Sequence, residues 1–190
     1  MLIIKERINT TIQNMQKLIS GDGTIDRINE SARIIINALK SGNKLMICGN
    51  GGSAADAQHI AGEFVCRFYI DREPLPAIAL STDTSVITSI SNDYSYDHIF
   101  SRQVKALGRS DDVLLGISTS GSSVNVLEAF KAAREMGIKT ILLSGATEKA
   151  IAAHSDIVIK TPSTDTPRIQ EMHLIIEHII CEMVEKGIFG

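Results

Sequence analysis

From Lys44 onward the sequence alternates between short apolar runs and longer stretches of helical spacing, and few folds accept that rhythm. The runs are KLMIC (44–48), PAIAL (76–80), DVLLGI (112–117), TILLS (140–144) and DIVIK (156–160). Each is rich in Ile, Leu or Val and is bounded by turn residues, as a buried strand is. The stretches near 53–68, 84–91, 122–136 and 147–154 read as helices. Strand–helix alternation implies a parallel sheet with helices on both faces. The expected fold is therefore α/β, a three-layer αβα sandwich around a five-stranded parallel sheet. In such sheets ligands bind beyond the carboxyl ends of the strands, near the point where strand order reverses.

The flanks add helices to this core. Ile4, Ile8, Ile12, Met15 and Ile19 recur at helical spacing over residues 2–20, and a Gly21-Asp22-Gly23 turn should end that helix. Thr24 suits an N-cap for a second helix to about residue 41, with Ile25, Ile28, Ala32, Ile35 and Leu39 on one face. Two leading helices exceed what one parallel sheet requires, so they are expected to cover the sheet or to pack on another subunit. Residues 161–190 read as a loop containing Pro162 and Pro167, followed by one long helix. Apart from Glu177 and His178 its middle is apolar on nearly every side, which suits a helical core shared between copies of a homo-oligomer. The domain reading is one unit over 1–190: a helical extension at 1–41 and an α/β core with its C-terminal helix at 42–190.

Bulk properties remove several classes. A net charge of −3 and 4% aromatic residues argue against a nucleic-acid-coating surface. Phosphorylated ligands stay open, because backbone amides and helix ends bind anions without net positive charge. Cys48, Cys66 and Cys181 are odd in number and unpaired in spacing, so buried thiols in a reducing cytoplasm are expected. No CxxC pair suggests a thiolate metal site. The start, MLIIKERINTTIQNMQ, lacks a signal-peptide pattern, and no apolar run reaches membrane-spanning length. The expectation is a soluble cytoplasmic protein that partners neither membrane nor nucleic acid.

Chemistry concentrates in two loops and two helices. GNGGSA (49–54) nominally satisfies the dinucleotide fingerprint, with Gly49, Gly51 and Ala54 in register. That fingerprint also needs an acidic residue ending the next strand, yet PAIAL runs into Ser81-Thr82, with Asp83 only beyond. STSGSS (118–123) offers the hydroxyls of Ser118, Thr119, Ser120 and Ser123 beside a helix entry, a natural cradle for phosphate oxygens. An N-cap in a serine-rich turn accounts for one or two of these residues, but not four. His59 and Glu63, four apart on a helix, share a face, and Gln170 and His178 can do so on the last helix. Taken singly, His59 suits a satisfied core histidine and Glu63 a solvated face. His178 is harder to dismiss, since a polar ring within LIIEHIICEM needs a partner when buried.

A strand leading into GNGGSA and another leading into STSGSS resemble the sugar isomerase (SIS) domain. Together with His59, Glu63, Asn92-Asp93, ISTSGSS (117–123), RIQEMH (168–173) and His178, the chain is similar nearly end to end to the phosphoheptose isomerase family. That resemblance implies aldose–ketose isomerisation of D-sedoheptulose 7-phosphate to D-glycero-D-manno-heptose 7-phosphate through an enediol. It implies an early step of heptose synthesis for lipopolysaccharide or another surface glycan. It implies one zinc ion per subunit at His59, Glu63, Gln170 and His178, with Glu63 and His178 as the acid–base pair. Asn50, Gly51, Gly52, Glu63, Asn92, Asp93, Ser118, Thr119, Ser120, Ser123 and Gln170 are the implied substrate contacts, and a homotetramer is the implied assembly. Arg67 and Asp165 are weaker candidates that serve equally well as exposed loop charges. Rival readings share the fold pattern: a non-catalytic adaptor for the replication initiator protein, and a sugar-phosphate-sensing or different ketose-phosphate isomerase domain. The adaptor has no use for both Glu63 and His178.

Overall fold

The computed structural model describes residues 2–21, 23–147 and 149–190. Helices α1 (Leu2–Ser20) and α2 (Thr24–Lys40) lead into β1 (Leu45–Gly49), α3 (Gly52–Val65) and β2 (Ala77–Ala79). Next come α4 (Thr84–Asp93), α5 (Ile99–Leu107), β3 (Val113–Ser118), α6 (Val124–Glu135), β4 (Lys139–Ser144), β5 (Ile157–Lys160) and α7 (Thr166–Phe189). All strand pairs are parallel, in the order β2-β1-β3-β4-β5. The order reverses between β1 and β3, and the glycine and serine loops leave from the carboxyl ends of those two strands.

Every residue of β1 and of β3 is buried, which is why these runs carry no polar alternation. The two-residue period of a strand then divides them between two cores. Leu45, Ile47, Leu115, Ile117, Ile141 and Leu143 pack with residues of α2, α3 and α7, such as Ile35, Ile60 and Ile176. Met46, Cys48, Leu114 and Leu142 face the opposite layer with Phe100, Val104, Val126 and Phe130 of α5 and α6. The expected three-layer α/β architecture is what forms.

The differences from the sequence reading have local causes. Helix α5 was not expected; at nine residues it is too short to display a sustained period, yet Ile99, Phe100 and Val104 bury its inner face. The helix expected at 147–154 is absent among the described residues apart from a 3₁₀ turn at Ala152–His154, and Glu148 lies outside them. Ile151 N–H there bonds to another loop, donating to Gly121 O at 3.4 Å, and just upstream Gly145 N–H donates to Thr119 O at 3.2 Å. Helix α3 stops at Val65 rather than at 68, because the amides of Phe68, Tyr69 and Ile70 all donate to the Glu185 carboxylate. Thr24 is a buried first helical residue rather than an N-cap; Gly23, at φ 71°, holds that position without a side-chain bond. Of the expected 21–23 turn, Asp22 lies outside the described residues. Cys48 and Cys181 are buried as expected, whereas Cys66 is exposed.

Helix α2 covers the sheet beside α7, but of the apolar stripe of α1 only Met15 packs against the core, and it is partly buried. Ile4, Ile8, Ile12 and Ile19 are each at least 50% exposed, and only Asn14 and Leu18 of α1 are buried. The helix is pinned to α7 by Thr11 Oγ1 donating to Glu171 Oε2 at 2.8 Å and by Arg168 Nη1 donating to Arg7 O at 3.3 Å. Along α7, Met172, Ile176, Ile180 and Val184 are buried, while Leu174, Ile175 and Ile179 stay exposed. Among the described residues, no helix is long and apolar enough to cross a membrane.

Candidate active site

The glycine loop shapes the first half of the site. Gly51 adopts φ 57° and ψ −121°, a left-handed conformation that side chains resist, and turns the chain from β1 into α3. A Cβ on Gly52 would collide with the side-chain amide of Gln170, so α7 lays Gln170 directly over the start of α3. The Asn50 side chain is already engaged. Its Nδ2 donates to Asn125 Oδ1 at 2.9 Å, and its Oδ1 accepts from Asn125 Nδ2 at 2.8 Å and from Tyr96 Oη at 3.0 Å. Asn125 belongs to the first turn of α6, so this amide pair ties the glycine loop to the helix that follows the serine loop. Neither Asn125 nor Tyr96 was legible beforehand, because a single polar residue in a helix turn or loop carries no motif.

Two turns into α3, His59 and Glu63 project toward α7. His59 Nε2 lies 2.8 Å from His178 Nε2 and 3.5 Å from Glu63 Oε1. The two imidazole rings meet edge to face, with centroids 5.1 Å apart. One ligand atom from each of His59, Glu63 and His178 falls within 4.8 Å of the other two. Two imidazole nitrogens and a carboxylate oxygen converging on one point match the donor set of a catalytic transition-metal site with room for a further ligand. Of the four expected metal ligands, the structure gathers these three. It places Gln170 against Gly52.

The register of α3 on α7 is held below that cluster. Arg72 forms a buried ion pair with Glu185, Nε to Oε1 at 2.8 Å, and donates to the carbonyls of Glu63 and Phe64 at 2.9 and 3.0 Å. The last turn of α3 is thereby capped by a residue clamped to α7. Burial pushes the Glu185 carboxyl up, but the amides of Phe68, Tyr69 and Ile70 and the Arg72 guanidinium outweigh it and bring it down to about 2. Other buried polar groups of α7 and α3 are unsatisfied. Both oxygens of Glu177 and Oδ2 of Asp56 lack hydrogen-bond partners among the described residues. Burial, reinforced by the charge of Asp56, pushes Glu177 up to about 8, and burial brings His173 down to about 4. The site is thus backed by two groups that favour their neutral forms.

The serine loop forms the second half. Gly121, at φ 65°, makes its apex, and Ser118 Oγ and Ser123 Oγ lie 3.1 Å apart across it. Ser123 is the N-cap of α6, yet its hydroxyl caps no backbone amide and meets Ser118 Oγ instead. Ser120 is exposed and accepts from Ser122 Oγ at 3.2 Å, and Thr119 is half-buried. Asn92 and Asp93 are exposed at the end of α4 and bond to each other, Nδ2 to Oδ1 at 2.8 Å; Tyr96, just beyond them, makes the contact to Asn50. Arg67 is exposed, and Asp165 is the N-cap residue of α7 without a side-chain capping bond.

The geometry has recognisable relatives. The SIS domain family profile matches residues 9–145. The phosphoheptose isomerase of Clostridium acetobutylicum is 51% identical over 187 residues, covering 98% of this chain and 95% of that protein. That of Aneurinibacillus thermoaerophilus is 50% identical, covering 98% and 94%. The solved phosphoheptose isomerase structure from Neisseria gonorrhoeae superposes with a TM-score of 0.91 at 41% identity, covering 96% of this chain and 97% of that one. With a parallel sheet of matching shape and identity of this extent over almost the whole length, the chain belongs to the SIS domain family, among the phosphoheptose isomerases.

Proposed function

We propose that this chain converts D-sedoheptulose 7-phosphate to D-glycero-D-manno-heptose 7-phosphate, an aldose–ketose isomerisation through an enediol. The convergence of His59, Glu63 and His178 on one point, in a fold that also carries a hydroxyl-lined loop at the end of β3, carries this reading. The serine loop takes the phosphate through Ser118, Thr119, Ser120 and Ser123. Amides of Gly51 and Gly52, with Asn50, Asn92, Asp93 and Gln170, meet the sugar hydroxyls. Glu63 removes a proton from the hydroxymethyl carbon beside the ketone and returns it to the neighbouring carbon, a transfer one carboxylate can make in both directions. His178 is the complementary acid: it protonates the ketone oxygen as the enediol forms and takes back the proton of the terminal hydroxyl as that carbon becomes the aldehyde.

A zinc ion suits His59, Glu63, His178 and Gln170, and when bound it would polarise the carbonyl and stabilise negative charge on the enediolate oxygens. Glu63 has two carboxylate oxygens, so engaging one leaves the other for the proton. The exposed isoleucines of α1 and the exposed Leu174, Ile175 and Ile179 of α7 support association with further copies of the chain, and the proposed assembly is a homotetramer in the cytoplasm. The 190 residues act in it as one domain per subunit, serving heptose synthesis for a surface glycan. An adaptor would have no use for the Glu63–His178 pairing.

Purified protein supplied with zinc should form the aldose from sedoheptulose 7-phosphate. Glu63→Gln should lower kcat by about 10²- to 10⁴-fold with the fold intact. A wild-type protein that produces no aldose overturns the proposal.

A further inference from the structure

Neutral donors alone surround the phosphate in the reading above, although a phosphomonoester carries about −1.5 to −2 charges at neutral pH. Beside the serine loop lies a cavity of about 270 Å³, lined by Thr119, Ser120, Thr147, Lys149, Ser163 and Thr166 among others. Its walls are largely hydroxyl-bearing, and Lys149 supplies its one charged side chain among the described residues. The Lys149 ammonium has no partner among those residues. Ion pairs occupy the neighbouring cation Arg168, which holds Glu171.

The segment carrying Lys149 is tied to the serine loop by main-chain bonds rather than merely lying near it. Gly145 N–H donates to Thr119 O, Ile151 N–H to Gly121 O, and Ala146 N–H to Ser163 O at 2.9 Å. The Lys149 Cβ stands 3.6 Å from where a Cβ on Gly121 would be, so its stem rises beside the loop apex. A four-carbon stem ending in a free ammonium, rooted there, sweeps the same space as the Ser120 hydroxyl.

We infer that Lys149 is the cation of the phosphate subsite, pairing with the outer phosphate oxygens while the serine loop holds the inner ones. The identity of the phosphorylated ligand rests on the isomerase reading; the anion subsite does not. Because the phosphate is remote from the reacting carbons, Lys149 should hold ground state and transition state equally. Its loss should therefore raise KM and spare kcat.

The test measures inorganic phosphate binding by calorimetry and turnover of sedoheptulose 7-phosphate for the wild type, Lys149→Ala, Lys149→Arg and Lys149→Glu. Lys149→Ala should weaken phosphate binding and raise KM by about fivefold, the scale of an exposed ion pair, with kcat within about twofold. Lys149→Glu should weaken both further, and Lys149→Arg should restore most of the loss. Equal phosphate affinity in all four proteins, or a fall in kcat at constant KM, overturns the inference. Phosphate affinity that follows the charge at position 149 in a protein without isomerase activity upholds the subsite and removes the isomerase reading instead.

Discussion

The two loops at the carboxyl ends of β1 and β3 do related work by opposite means. In the glycine loop the absence of side chains matters: Gly49 faces the backbone of Ser53, and Gly52 faces the Gln170 amide, with no room for a methyl group at either. In the serine loop the side chains themselves are the instrument, and hydroxyls cluster around an apex that is open to the 270 Å³ cavity. One loop is defined by how closely other atoms approach it, the other by what it offers to a ligand. Substitutions should therefore damage the first through geometry and the second through lost contacts.

The largest effect should come from Gly49→Ala. The new methyl would meet backbone atoms of Ser53, which cannot swing aside, so a loss of about 3 kcal/mol and a Tm drop on the order of 10 °C are expected in thermal unfolding. A Tm within a degree of wild type would show that the loop yields easily. Gly52→Ala should behave differently. The obstructing group is the far end of a flexible side chain, so Tm should hold while displacement of Gln170 lowers turnover by about 100-fold. Equal turnover in wild type and variant would detach Gln170 from the chemistry. Smallest is Ser123→Ala in the serine loop, where one hydroxyl among several is lost. KM should rise about fivefold with kcat nearly unchanged, and a Tm loss comparable to that of Gly49→Ala would erase the contrast between the loops.

Legibility followed the range of the interaction. The strand runs were read to within a residue or two, since a fully buried parallel strand must be apolar throughout. The His59–Glu63 pair was visible because helical geometry alone puts residues four apart on one face. The misses were ends and short elements. The halt of α3 at Val65 depends on Glu185, over a hundred residues later, and α5 is too brief to show a period. Asn125 and Tyr96 escaped notice because their value lies wholly in touching Asn50.

By itself, then, the sequence determined the α/β alternation, the glycine turn into α3, the hydroxyl-rich turn into α6 and the helical spacing of His59 and Glu63. These follow from rules acting within a few residues: strand and helix periods, φ > 0 at glycine, and helix-entry amides. Only the tertiary structure decided that β1 and β3 lie side by side, that Arg72 and Glu185 lock α3 to α7, and that His178 meets His59 across 119 positions of chain. The reason is physical. Apolar packing is non-directional and tells a helix only which face to bury, whereas polar partners must meet at about 3 Å with correct angles. That precision comes from the docking of whole helices, which no local pattern encodes.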